Sequence, residues 1–278
     1  MTTHLVVPGQ VIAEGDGFLR GHGTYVETLE ESERLVASVA GRVERVNKLV
    51  SVIPVASSLY NGHVGDLIVG RILEVQSNRW KVQISDSHRS AQLPLSGVHL
   101  PGGVQRVRTQ QDSREMRQLF HEGDLVSAEV HNVQSDGTLV LHTRSLRYGK
   151  LENGCLIVVP PALVAKRKNH FCEIENISLL LGTNGCIWIQ RALPDLEDAQ
   201  LAEHKEKLKK QHAETPVLPD EREKIARIRN SIECLAKVHL MVTPEHIEQV
   251  VRTSQSIKTE EILLPENIIK LTNFMSRS

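Results

Sequence analysis

The chain is 278 residues long, with 40% hydrophobic residues, 24% charged residues and a formal net charge of −1. That composition excludes wholesale disorder and suits two domains or three small ones. Its 33 basic side chains are offset by 34 acidic ones, which excludes a strongly basic nucleic-acid coat but not a local basic groove, because steering depends on the local field.

Aromatic residues make up only 3% of the chain, so any stacking surface is small. Cys155, Cys172, Cys186 and Cys234 are far apart and form no Cys-x-x-Cys pair, which argues against a disulfide scaffold and a zinc ribbon and fits a reducing compartment. No apolar run approaches the roughly 18–20 residues of a membrane span, and the first residues do not form a signal peptide. The expectation is a soluble intracellular protein with no membrane partner.

Residues 1–61 read as a small β module. Turns at Pro8-Gly9, Gly15-Asp16-Gly17 and Gly21-His22-Gly23 precede strands from Leu35 and from Val43, with Asn47-Lys48 as a hairpin turn. Residues 62–147 hold five short strands beginning near Leu67, Arg79, Ser90, Asp124 and Gly137, the pattern of a five-stranded OB-type barrel. The phrase Gly65-Asp66-Leu67 returns as Gly123-Asp124-Leu125, too short to be a domain repeat and readable as shared turn chemistry.

Residues 148–278 mix strands with helices and read as an α+β module. Strands are expected at Cys155–Val159 and Cys186–Ile189. A helix follows Asp220, with Asp220 and Glu223 as a capping box and Ile225, Ile228, Ile232 and Leu235 on one face. Thr243-Pro244 opens a second helix and Leu264-Pro265 a third, the latter with Ile268, Ile269 and Leu271. Residues 195–215, with four lysines and six acidic residues, read as a charged insertion. The fold class is therefore mainly β with an α+β C-terminal module.

Catalytic patterns are missing. There is no Gly-x-x-x-x-Gly-Lys-[Ser/Thr], no Gly-x-Ser-x-Gly and no His-Glu-x-x-His among the 13 histidines. His170 and Cys172 are spaced as a possible ligand pair but have no obvious partners. No catalytic residue, metal ligand or cofactor is expected.

The barrel offers more. In Arg79–Ile84 the side chains alternate, so Trp80, Val82 and Ile84 share one face and Arg79, Lys81 and Gln83 the other. A barrel has to fill its interior, which sends Trp80 inward and Arg79 and Lys81 out. Loops add Arg89, Arg106, Arg108, Arg114 and Arg117, and residues 62–150 carry 11 basic against 9 acidic side chains. Such a face either tracks a phosphate backbone or is an ordinary solvated surface. Lys166-Arg167-Lys168 is a second basic cluster. Gly182-Thr183-Asn184-Gly185 has the Gly-x-x-Gly form of a KH clamp, but it precedes a strand instead of joining two helices, so Gly182, Asn184 and Gly185 read as a structural turn.

The module order, together with Gly17–Tyr25, Ala37–Lys48, Val64–Arg71, Leu100–Gly103, Leu141–Lys150 and Gly182–Ile189, resembles the RNA-exosome cap subunits of the ribosomal-RNA-processing protein four family over nearly the whole chain. The resemblance implies an N-terminal β module, an S1-type OB barrel and a KH-like domain. It implies a noncatalytic RNA-binding subunit that braces a ring of RNase-PH-like subunits beside other cap subunits. Single-stranded RNA would pass this subunit toward associated 3′→5′ exonucleases, for ribosomal-RNA processing and RNA degradation in nucleus, nucleolus and cytoplasm. Under it, Arg79, Lys81, Arg89, Arg106, Arg108, Lys166, Arg167 and Lys168 are the candidate RNA contacts. Arg79 and Lys81 stand where generic S1 domains carry aromatics, which implies modest, nonspecific affinity. A free-standing S1/KH RNA-binding factor is the alternative, and an RNA-processing hydrolase ranks far behind both.

Overall fold

The computed structural model describes residues 4–15, 17–29, 32–54, 60–85, 90–98, 110–134, 136–145, 147–192 and 211–273. The chain divides into two compact units, Met1–Ser58 and Leu59–Ser278.

The first unit is all β. One sheet runs β1 (Leu5–Val6), β6 (Gly41–Val46), β7 (Leu49–Pro54), β3 (Leu19–Arg20), and the other runs β2 (Val11–Glu14), β5 (Ser32–Ala37), β4 (Thr24–Leu29). The β6–β7 hairpin turns on Asn47-Lys48, and Asn47 takes φ 57°, a left-handed conformation that asparagine tolerates. Val6, Ala37 and Val52 form one small core, and Ala13, Leu35 and Val50 another.

The second unit joins a barrel to an α+β module. Strands β8 (Leu67–Val75), β9 (Arg79–Gln83), β10 (Ser90–Pro94), β11 (Leu125–Val133) and β12 (Leu139–His142) pair in the order β12-β10-β9-β8-β11, and a β12–β11 ladder closes the ring. The short helices α1 (Gln110–Arg114) and α2 (Met116–Leu119) lie between β10 and β11 and deliver Met116 and Phe120 to the interior. Trp80 is fully buried there. Its indole N–H donates to the Phe120 carbonyl at 3.1 Å, and its ring meets the Phe120 ring edge-on at 5.3 Å. The twin Gly-Asp-Leu phrases have the same local cause. His63 N–H donates to the Asp66 carboxylate at 2.9 Å and His121 N–H to the Asp124 carboxylate at 2.8 Å, with Gly65 and Gly123 both at positive φ.

The α+β sheet has the order β14 (Gly154–Val158), β17 (Cys186–Arg191), β16 (Ile177–Leu181), β15 (Phe171–Ile174), and β13 (Gly149–Leu151) pairs with β11 at the barrel edge. Ile177, Leu179, Leu181, Ile187 and Ile189 face helices α3 (Pro219–Lys237), α4 (Pro244–Thr253) and α5 (Pro265–Thr272). On the opposite face Leu180 and Trp188 pack against Leu67 and Val69 of the barrel. Burial on both faces accounts for the unbroken Leu179-Leu180-Leu181 run.

Three features differ from the sequence reading or go beyond it. The first concerns the start of α3. Asp220 and Glu223 do not cap it; Leu218 is the cap, Pro219 occupies the first turn, and Glu221 Oε2 accepts from Leu218 N–H at 3.1 Å. Proline has no N–H and a preset φ, so the start falls two residues earlier than the acidic pattern suggests. Second, Ile269 is 64% exposed while Leu271 is buried, because successive residues on a helix point about 100° apart and α5 is covered on one side only. Third, the β15–β16 hairpin has no strong turn dipeptide in the sequence. Glu175 and Asn176 both adopt positive φ, the two-residue type I′ geometry, without a glycine to announce it. Residues 195–210 of the charged insertion at 195–215 lie outside the described residues.

Candidate nucleic-acid interface

The barrel alternates as a closed sheet must. Trp80, Val82, Ala91, Leu93, Leu139 and Leu141 are buried inside, and the intervening residues point out. Arg79 and Lys81 are exposed on β9. Arg79 is held by amides on both sides: its Nε–H donates to Gln76 Oε1 at 2.7 Å and Nη1 to Gln92 Oε1 at 2.9 Å. Two of its five donors are thereby used, which leaves a guanidinium of fixed direction with donors to spare. Lys81 lies between Glu74 of β8 and Gln92 of β10 in the strand register. Gln76 and Gln92 are absent from the sequence-derived candidates. Gln92 shares the outward phase with Lys81 across the β9–β10 ladder, and that pairing is the signal that would find it.

The rest of β8 has a different fate. Leu67 and Val69 point outward from the barrel but are covered by the α+β sheet. The Gly182–Gly185 turn, between β16 and β17, fixes this junction. Asn184 is buried; its Oδ1 accepts from Val69 N–H at 3.3 Å, and its Nδ2 donates to the carbonyls of Val69 at 2.8 Å and Ile84 at 2.6 Å. Thr183 donates to the Leu67 carbonyl through both its N–H, at 2.9 Å, and its hydroxyl, at 3.0 Å. Gly185 sits at φ +83°, and a Cβ there would lie 2.1 Å from the Val159 carbonyl oxygen, so both conformation and space demand glycine. The polar groups of this turn are spent on barrel backbone.

An ion pair extends the junction. Lys166 Nζ is 2.7 Å from the buried Asp66 carboxylate, which also accepts from the Tyr60 hydroxyl at 2.9 Å. Burial alone would raise the Asp66 pKa, but the Lys166 ammonium, the His63 N–H and the Tyr60 hydroxyl outweigh it and hold Asp66 below its ordinary value. Burial, with the Asp66 charge adding to it, drives the Tyr60 phenol well above its usual range.

The Lys166–Lys168 loop is thus mostly committed within the unit. Arg167 pairs with Glu245 at 2.7 Å, and the guanidinium, as principal cause, lowers the Glu245 carboxyl to about 2. Lys168 is exposed, and no ion pair joins it to another described residue. Arg114 ends α1, and Arg117 pairs with Glu122 at 2.9 Å. Arg89, Arg106 and Arg108 lie outside the described residues. His170 is a satisfied core residue, not half of a ligand pair: Nδ1 meets the Leu181 carbonyl at 2.8 Å and Nε2 accepts from Arg167 N–H at 3.3 Å. Among the described residues no three His, Cys, Asp or Glu side chains converge as a metal site, and no helix is long and apolar enough to cross a membrane.

Comparison with known proteins adds three family matches in chain order. A model described as "Exosome complex exonuclease RRP4 N-terminal region" matches residues 5–46, "RRP4, S1 domain" matches 59–132, and "KH domain" matches 154–195. The chain is 45% identical over 264 residues to Exosome complex component RRP4 of Mus musculus, which covers 95% of this chain and 86% of that protein. It is 36% identical to the RRP4 homolog of Caenorhabditis elegans, over 94% of this chain and 82% of that one. It is 48% identical over 189 residues to rrp4 of Schizosaccharomyces pombe, over 68% of this chain and 56% of that protein.

Proposed function

The chain belongs to the exosome complex component RRP4 family, and from that premise we propose that it is a noncatalytic RNA-binding cap subunit of the RNA exosome. In this reading it braces an RNase-PH-like ring beside other cap subunits and guides single-stranded RNA toward 3′→5′ exonucleases, in nucleus, nucleolus and cytoplasm. The RNA contact is the outer face of β9. The observation that carries it is the split of one strand, with Trp80 and Val82 fully buried while Arg79 and Lys81 stand exposed and Arg79 is braced by two glutamines. Cations displayed on a rigid sheet meet phosphate oxygens without reading bases, which gives salt-sensitive and sequence-tolerant binding.

The test uses the assembled complex. Arg79→Glu with Lys81→Glu leaves assembly intact, weakens single-stranded RNA binding, and makes the dependence of log K on log salt shallower by about 0.7 for each phosphate no longer neutralised. An unchanged affinity and slope would remove β9 from the RNA path. The noncatalytic assignment predicts no RNA turnover by the purified chain with or without added divalent metal; turnover that copurifies with this chain alone overturns it. Recovery of the chain from cells only as a monomer would favour a free-standing RNA-binding factor.

A further inference from the structure

The β9 cations share their surface with an unusual pair of rings. β12 runs parallel to β10, with Ala91 beside Leu139 and Gln92 beside Val140. Beyond Val140 the register shifts: Thr143 bridges Val98 and its N–H donates to the Gly97 carbonyl at 2.8 Å, which brings His142 beside the Leu95–Gly97 turn that follows Pro94, the partner of Arg79 on β9. His142 in turn pairs with Glu129 of β11. His142 and Glu129 therefore face outward on β12 and β11, and β10 alone separates β12 from the cations of β9.

The β11–β12 ladder is interrupted between Val130 and Asn132, and the extra residue in that bulge is His131. Bulges re-aim side chains, and this one leaves His131 exposed with its ring 5.4 Å from His142 at 72°. His142 Nδ1 is buried and has no hydrogen-bond partner among the described residues. Burial lowers the proton affinity of His142; Glu129 opposes this, and His131 and Arg144 add to it. The chemistry here differs from that at β9. Glu129, which accepts from the Tyr148 hydroxyl at 2.9 Å, places a carboxylate beside the rings. A carboxylate repels a phosphate but accepts readily from the exocyclic amine of a base.

Resting on the RNA-binding reading of the barrel, we propose that His131 and His142 form a nucleobase-stacking site that takes one base of the strand whose phosphates lie along Arg79 and Lys81. His131 supplies the exposed ring face and His142 supports it edge-on. Exposed Arg144, two residues beyond His142, contributes a cation at the rim. Two different groups of the nucleotide are thus met on two neighbouring parts of one sheet, phosphate at β9 and base at the β11 bulge.

The test is binding of a labelled single-stranded oligoadenylate, and of the same strand carrying abasic positions, to the assembled complex. His131→Ala weakens oligoadenylate binding about fivefold or more, the lower end of what one base–aromatic stack contributes, and leaves the salt slope unchanged because every phosphate keeps its cation. His131→Phe restores the affinity. The abasic strand shows no difference between wild type and His131→Ala. Wild-type affinity in His131→Ala, or a loss accompanied by a shallower salt slope, overturns the nucleobase site. The underlying reading fails separately: an unaffected Arg79→Glu/Lys81→Glu protein together with a weakened His131→Ala protein would retain the base site and discard the phosphate track. His131 is exposed, so thermal unfolding of the variant should match wild type and serves as the folding control.

Discussion

The Gly182–Gly185 turn and the outer face of β9 each carry a pattern associated with nucleic acid, and they occupy opposite environments. In the turn, Thr183 and Asn184 direct five donor or acceptor contacts at the backbone of Leu67, Val69 and Ile84. Both side chains are thereby committed to the barrel. On β9, Arg79 has two amide partners and remains exposed. The difference shows that a Gly-x-x-Gly loop takes its role from the element it leads into. Before a helix it frees backbone N–H groups for a phosphate, whereas before a strand, as here, its N–H and C=O groups are taken up by the next ladder and the adjoining barrel.

The comparison predicts its largest effect at Asn184. Asn184→Ala removes the partners of Val69 N–H, Val69 C=O and Ile84 C=O in a buried setting, and each orphaned group costs roughly 1–3 kcal/mol. A loss of about 3 kcal/mol in urea unfolding is expected, with RNA affinity of the remaining folded protein unchanged. RNA affinity that falls while stability holds would reverse the assignment and make the turn a ligand contact.

Asp66 comes next. Asp66→Ala strands the buried Tyr60 hydroxyl and frees Lys166, an expected loss of about 2 kcal/mol. Because Asp66 is held below its ordinary value of 3.8, the folded state binds its proton later than the unfolded chain as pH falls. Its contribution is therefore fully present above that value and is lost as pH drops through the lower, folded one. The stability gap between wild type and Asp66→Ala should be constant near neutrality and narrow below about pH 4. A gap that widens on acidification would mean that the Lys166 pair is not what holds the carboxylate.

These two positions also mark the limit of what the sequence makes legible. The period-two pattern of Arg79–Ile84 places Trp80 inside and Arg79 outside, because alternation in a closed barrel has a single solution. Thr243-Pro244 marks the start of α4 for a similarly local reason: the Thr243 side chain accepts from His246 N–H. By contrast, Asn184 and Ile84 are 100 residues apart in the chain, as are Lys166 and Asp66, and a spacing of that length leaves no periodic trace. Lys166-Arg167-Lys168 is visible as charge, yet its partners Asp66 and Glu245 can be identified only once the chain has folded back on itself. The His131–His142 pair depends on a bulge, which shifts the register by one residue and hides the pairing from any alternating pattern.

At the β9 face itself, Arg79→Glu with Lys81→Glu is expected to weaken RNA binding about tenfold, equivalent to about 1.4 kcal/mol. Unfolding should move by no more than about 0.5 kcal/mol, since both side chains are exposed. That pattern is the reverse of the one expected at Asn184, and the two variants measured side by side separate a ligand-facing polar group from a structural one.

The smallest effect sharpens the comparison most. Arg167 belongs to a basic cluster, as Arg79 belongs to a basic face, but its guanidinium is given to Glu245. Both partners are exposed, so solvent and salt screen the pair, and such pairs contribute about 0–1 kcal/mol. Arg167→Ala should therefore lower stability by about 0.5 kcal/mol, less at high salt, and leave RNA affinity and its salt slope unaltered. The Glu245 carboxyl, held at about 2 chiefly by Arg167, should rise toward its ordinary 4.5 in the variant while its own N–H and the Thr243 hydroxyl still hold it below that value, a shift that NMR reads directly. If Arg167→Ala instead makes the salt slope shallower by about 0.7, the change expected when one single-strand phosphate goes without its cation, then the guanidinium exchanges Glu245 for RNA in the complex. The interface would then extend from the barrel onto the α+β module.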